Sequence, residues 1–155
     1  MKRAELHWIT GPSGSGKTTR LMHIYDQLRQ KNPGLHIGGF LAMARYGSDG
    51  PEDYTLYCLH KPEKILLASR TNRFEKSVPV GRFFLNAAAM ESCIRELIDL
   101  LPDLDVLFVD EAGPLELRGG GWDRLLQKAV TIPGLQIYLA VRDKLKDKMK
   151  VKYNA

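Results

Sequence analysis

Residues 11–18 read Gly11-Pro12-Ser13-Gly14-Ser15-Gly16-Lys17-Thr18 and fit the pattern G-x-x-x-x-G-K-[ST]. A string of this kind works as the turn between a strand and a helix, so it constrains the fold on both sides. Its glycines let the backbone wrap closely, with main-chain N–H groups turned inward on a phosphate chain. The following helix adds the positive end of its dipole. Lys17 is placed to reach β- and γ-phosphates, and the Thr18 hydroxyl to hold Mg²⁺. Thr19 is a further candidate, for the α-phosphate. The candidate nucleotide-binding residues are therefore Gly11, Pro12, Ser13, Gly14, Ser15, Gly16, Lys17, Thr18 and Thr19.

The flanks agree with this reading. Leu6-His7-Trp8-Ile9-Thr10 is rich in apolar and β-favouring residues, as a buried strand requires. Beyond the loop, Leu21, Ile24, Tyr25 and Leu28 recur on one helical face, and Asn32-Pro33-Gly34 ends the helix. The dinucleotide fingerprint G-x-G-x-x-G is absent, since Gly14-Ser15-Gly16 continues into Lys17-Thr18-Thr19.

At 155 residues and 44% hydrophobic content, the chain is expected to be one globular domain over residues 1–155. No apolar run has the length of a membrane span, and Met1 to Glu5 lacks the apolar stretch of a signal peptide. Cys58 and Cys93 form neither a metal-ligand spacing nor a disulfide framework, which points to a reducing, cytoplasmic setting. His7, His23, His36 and His60 are scattered and read as structural or solvent-facing. Of the net charge of +5, the stretch from Arg142 to Lys152 carries +4. Its lysines at every second position spread around a helix and make no single basic stripe. This basic segment, 142–155, is expected to be a solvated helix and not a nucleic-acid contact.

Strands are predicted at 35–44, where Gly38-Gly39 marks a bend, bulge or close backbone approach, and at 54–60 and 64–68. The Gly/Pro cluster at 46–51 joins two of them into a local antiparallel element. Residues 69–77 read as an exposed loop, and 78–85 fit strand or loop equally. Asn86 is a candidate N-cap for a helix whose apolar face carries Met90, Cys93, Ile94, Leu97, Ile98 and Leu101, ended by Pro102. A buried strand follows at 105–110, a helix with Trp122, Leu125, Leu126 and Ala129 on one face, and a last strand at 135–141. Alternating strands and helices imply an α/β domain with a largely parallel sheet and a small antiparallel element.

The run Val106-Leu107-Phe108-Val109 ends in Asp110-Glu111. An apolar strand closing on Asp has the form of a Walker B element, whose carboxylate helps hold Mg²⁺. Asp110 and Thr18 are thus the candidate metal residues, and Glu111 is the candidate general base, acting with Lys17 in catalysis. Arg142, Arg45, Arg70, Arg73 and Arg82 compete as a candidate arginine finger.

Asp110-Glu111-Ala112-Gly113-Pro114-Leu115-Glu116-Leu117 resembles the D-E-x-G-x-x-E-L signature of the small nucleoside-triphosphatases related to the cancer-related and thermophile-type enzymes. The phosphate loop, the Gly39-Phe40 step and Trp122 follow in the same order, so the likeness runs from about Leu6 to Val141. The resemblance implies a three-layer RecA-like P-loop fold. It also implies slow, Mg²⁺-dependent hydrolysis of ATP, GTP and other nucleoside triphosphates to diphosphate and phosphate. The chain departs from the pattern at Leu41-Ala42-Met43-Ala44-Arg45, where acidic residues are usual, and in a shorter C-terminal part that could lack a final strand. Glu116 is read as pairing with an arginine, orienting its loop, or serving structure alone. Two other readings stay open. One is a nucleotide-dependent switch or assembly factor for a protein partner, with the loop 116–121 moving. The other is a small-molecule kinase with residues 69–82 as its lid.

Overall fold

The computed structural model describes residues 3–12 and 16–153. One eight-stranded sheet organises them, in the order β1-β8-β7-β2-β3-β4-β6-β5. Strand β1 (Glu5–Gly11) leads into helix α1 (Lys17–Lys31), as the phosphate-loop pattern demands. β1, β8 (Gln136–Arg142), β7 (Val106–Ala112) and β2 (Ile37–Gly47) are parallel neighbours. β3 (Gly50–Cys58), β4 (Lys64–Ser69), β5 (Ser77–Val80) and β6 (Phe83–Asn86) extend the same sheet with antiparallel pairing. The antiparallel part is therefore four strands continuous with the main sheet, larger than the small element expected.

Two local causes explain the difference. The turn at Ser48-Asp49 is short enough that pairing continues to Gly47↔Gly50, which lengthens both strands beyond their apolar cores. The ambiguous stretch 78–85 becomes a hairpin, with Gly81 at φ 59° in its turn. A left-handed residue there suits glycine, which has no Cβ to clash.

Side chains alternate across the parallel strands and feed two apolar clusters. Ile9, Ile37, Leu41, Val106 and Phe108 pack with Leu21 of α1. Leu107, Val109, Ile137 and Leu139 pack with α2 (Ala87–Leu100), α4 (Asp123–Ala129) and α5 (Lys146–Tyr153). Asn86 caps α2 as expected, its side-chain oxygen accepting from Ala89 N at 3.2 Å. At Gly39, φ is +118° and an added Cβ would lie 2.1 Å from the Phe108 carbonyl oxygen. The glycine pair is thus a close backbone approach that lets β2 lie against β7.

The C-terminal segment is a helix but not a solvated one. Met149 and Tyr153 are buried. Tyr153 Oη donates to Asp123 Oδ1 at 2.6 Å, and Lys152 Nζ lies 3.0 Å from the same carboxylate. Counting lysines alone missed this, because two residues one turn apart suffice to dock a short helix. β1 has β8 as its neighbour and forms one edge of the sheet.

Candidate active site

The site lies at the C-terminal ends of β1 and β7, beside the middle of β2. Gly16 takes the left-handed conformation at the start of α1 (φ 90°), which turns Lys17 back over the end of β1. The Lys17 side chain is buried, donating from Nζ to the carbonyl oxygens of Gly11 (3.1 Å) and Pro12 (3.0 Å). Its ammonium is also 3.7 Å from Glu111 Oε1. Ser13, Gly14 and Ser15 lie outside the described residues. Thr18 and Thr19 follow on the first turn of α1, both facing a cavity of about 270 Å³ with Lys17 and Glu111.

Asp110 comes from the far side of the chain and meets Thr18 there. Its Oδ2 accepts from Thr18 Oγ1 at 2.7 Å and from Ala42 N at 3.0 Å. Its Oδ1 is buried with no hydrogen-bond partner among the described residues. Burial raises the Asp110 pKa to about 6, against the lowering effect of the Thr18 and Ala42 hydrogen bonds. A buried carboxylate oxygen without a partner, beside a threonine hydroxyl, fits a hard divalent cation. No cluster of three or more His, Cys, Asp or Glu ligands occurs among the described residues. A cation here would draw its other ligands from phosphate and water, as Mg²⁺ characteristically does.

The raised pKa makes a stability prediction. A carboxyl whose folded pKa lies above its unfolded value destabilises the fold once ionised. That cost is complete above about pH 6 and vanishes below about pH 4. Asp110→Asn is therefore expected to stabilise the metal-free protein at pH 8 by about 1–3 kcal/mol, the gain shrinking toward pH 4. Urea denaturation at both pH values checks it, and a destabilised variant at pH 8 would contradict the assignment.

Glu111 is the single non-glycine residue with positive φ among the described residues, at 61°. The register of β7 against β8 shifts between Val109 and Ala112, so a bulge turns the chain at this point. Left-handed backbone at a residue with a Cβ costs on the order of 1 kcal/mol. The bulge lets consecutive residues serve different places: Asp110 is buried against Thr18, while Glu111 reaches the open cavity.

Glu116 has no arginine partner among the described residues. Its Oε1 accepts from Gly113 N at 2.6 Å and its Oε2 from Trp122 N at 2.8 Å. It therefore staples α3 (Pro114–Leu117) to the start of α4, orienting the loop, and Lys152 Nζ donates to its backbone oxygen. Trp122 stacks on Phe40 with ring centroids 4.0 Å apart.

The candidate arginines separate. Arg45 pairs with Asp53 at 2.7 Å, and Arg70 donates to the Asp49 carbonyl. Arg82 and Arg142 instead line a larger cavity of about 550 Å³, together with Glu111; Arg73 lines neither cavity. Two residues without any motif complete the site. Ala42 supplies a backbone N–H to Asp110, and Tyr54 of β3 faces both cavities. A backbone donor leaves no trace in a sequence pattern, and Tyr54 was legible only as one aromatic residue of a strand. His60 is structural as read, its Nδ1 accepting from Gly39 N at 3.3 Å and its Nε2 bonded to Glu96 at 2.9 Å.

The comparisons with known proteins bear on the same span. The chain is 27% identical over 145 residues to a nucleoside-triphosphatase THEP1 of Archaeoglobus fulgidus, covering 92% of this chain and 82% of that protein. It is 26% identical to a nucleoside-triphosphatase THEP1 of Sulfolobus acidocaldarius, covering 80% of this chain and 69% of that protein. Its fold is similar to the solution structure of a human cancer-related nucleoside triphosphatase, with a TM-score of 0.67 and 19% identity over 96% of this chain and 85% of the other. The family described as NTPase matches residues 7–152, a span that holds the phosphate loop, Asp110-Glu111 and the Glu116 staple, and the chain belongs to that family.

Proposed function

We propose that this chain is a P-loop hydrolase, RecA-like and built as one domain, that cleaves nucleoside triphosphates to diphosphate and phosphate, slowly and with broad base tolerance. The observation that carries the reading is the meeting of Lys17 and Thr18 with Asp110 and Glu111 around one cavity, from segments about 90 residues apart. Phosphoryl transfer asks mainly for positioning and charge neutralisation, and these residues supply both.

In this mechanism the phosphate chain lies between the end of β1 and the N-terminus of α1, whose helix dipole faces it. Lys17 Nζ leaves the carbonyls of Gly11 and Pro12 for the β- and γ-phosphate oxygens. Glu111 orients a water and takes its proton as the water oxygen bonds to the γ-phosphorus. The bond to the β–γ bridging oxygen breaks and its electron pair leaves with the diphosphate. Thr18 and Asp110 would hold Mg²⁺, which when bound neutralises charge on the phosphates. The sequence carries no base-selective motif, in keeping with broad tolerance.

The test is phosphate release over ATP, GTP, CTP and UTP with and without Mg²⁺. Release from all four within about tenfold of one another, and loss of release in chelator, is the expected result. Turnover unaffected by chelator would reject the roles given to Thr18 and Asp110. No helix among the described residues is long and apolar enough to cross a membrane.

A further inference from the structure

The larger cavity is not the phosphate cradle. It measures about 550 Å³, within the range of small-molecule sites, and lies beyond Glu111 from the loop. Leu67, Phe83, Leu85, Met90 and Trp122 supply an apolar wall. Ala42, Tyr54 and Glu111 border this cavity and the cradle alike.

Its charges are equal in number but are kept apart. Three acidic residues line it, two of them buried and the third paired with Lys17, and none meets an arginine. Asp110 accepts from Thr18, Glu111 faces Lys17, and Glu116 accepts from the N–H groups of Gly113 and Trp122. Three arginines, Arg82, Arg118 and Arg142, also line it, and all are exposed. None has a carboxylate within ion-pair distance among the described residues. By contrast Arg45 and Arg124 are each held by an acid. An apolar chamber with exposed guanidinium groups that form no ion pair is complementary to one kind of guest. That guest has a ring-sized apolar body and an anionic end, since guanidinium recognises carboxylate, sulfonate or phosphate oxygens in a planar, two-pronged fashion.

We propose that this cavity binds a second small molecule, an organic anion with an apolar body, beside the γ-phosphate position and against Glu111. The nucleotide does not supply it, because Glu111 marks the γ-phosphate end of the cradle in the reading above and the base lies at the other end. The cavity's ligand and the hydrolytic reaction are separate claims, so binding is tested without turnover.

Two probes of like shape distinguish the parts of the site: anilinonaphthalene sulfonate, which is anionic, and N-phenylnaphthylamine, which is not. Fluorescence titration of the full chain is expected to show saturable binding of the sulfonate at one site per chain, surviving saturation with ADP. Arg118→Glu, exposed and outside the phosphate machinery, should weaken the sulfonate at least tenfold and leave the neutral probe within twofold. Val80→Trp, at the partly exposed mouth, should weaken both probes at least tenfold. Circular dichroism and unchanged phosphate release confirm that both variants fold. Absence of saturable binding, indifference to the arginine reversal, or displacement by ADP would each overturn the proposal. Hydrolysis without probe binding would sink this inference alone, and probe binding without hydrolysis would sink the proposed function alone.

Discussion

Glu111→Gln is expected to lower phosphate release by about 10²–10⁴-fold, the usual contribution of a positioned general base. Nucleotide affinity should stay within about threefold of wild type or tighten. The reasons are local. Glutamine keeps the length of the side chain and, like glutamate, tolerates the left-handed backbone at position 111 only because the β7 bulge imposes it. What it removes is the proton acceptor, together with the 3.7 Å ion pair to Lys17. Losing that pair frees the ammonium for phosphate, so binding has no cause to fail. Single-turnover phosphate release and titration with a fluorescent nucleotide separate the two effects. Release at the wild-type rate would remove Glu111 from the chemistry and leave its backbone strain without a use.

Lys17→Ala is expected to act on binding. The lysine side chain is almost wholly buried, and its charge is held by two loop carbonyls and one carboxylate. Charge-assisted hydrogen bonds to phosphate contribute about 1.5–3 kcal/mol each, so triphosphate affinity should fall by roughly 10–100-fold or more. Diphosphate affinity should fall as well, but less, because the γ-phosphate contact is then absent in both proteins. Equal losses for the two nucleotides would place the ammonium away from the γ-phosphate, and no loss would contradict the cradle. Gly11 and Pro12 are not buried, so water can replace the ammonium at their carbonyls, and chemical denaturation should register a small change.

Much of this molecule could be read from residue order. The strand at 6–10 and the helix through Leu28 are each continuous in the chain, and each is specified by its own residues. Asn86 announced the start of α2 for the same reason, since a cap is a contact three residues long. Gly39 was legible as a close approach but not for its partner. Nothing in residues 35–44 names Phe108, whose carbonyl excludes a side chain there. The C-terminal helix was misjudged because its docking depends on Asp123, thirty residues away, and a lysine-rich composition hides two buried residues. Glu116 was left among three roles because its partners are backbone N–H groups, which every residue has and no pattern displays.

Residue order alone displays the groups available for chemistry: a phosphate-loop pattern, its lysine and threonine, and a strand ending in two carboxylates. Local geometry suffices for each of these, because the groups concerned are near neighbours in the chain. Their meeting in one place is a product of the fold. The parallel order of β1, β8, β7 and β2 carries Asp110 to within 2.7 Å of Thr18. A bulge then divides the acidic pair, burying one carboxylate at the hydroxyl and presenting the other to the open cavity. Which arginines face the larger cavity was likewise settled by packing, because an exposed side chain's neighbours are fixed by the sheet beneath it and not by its place in the chain.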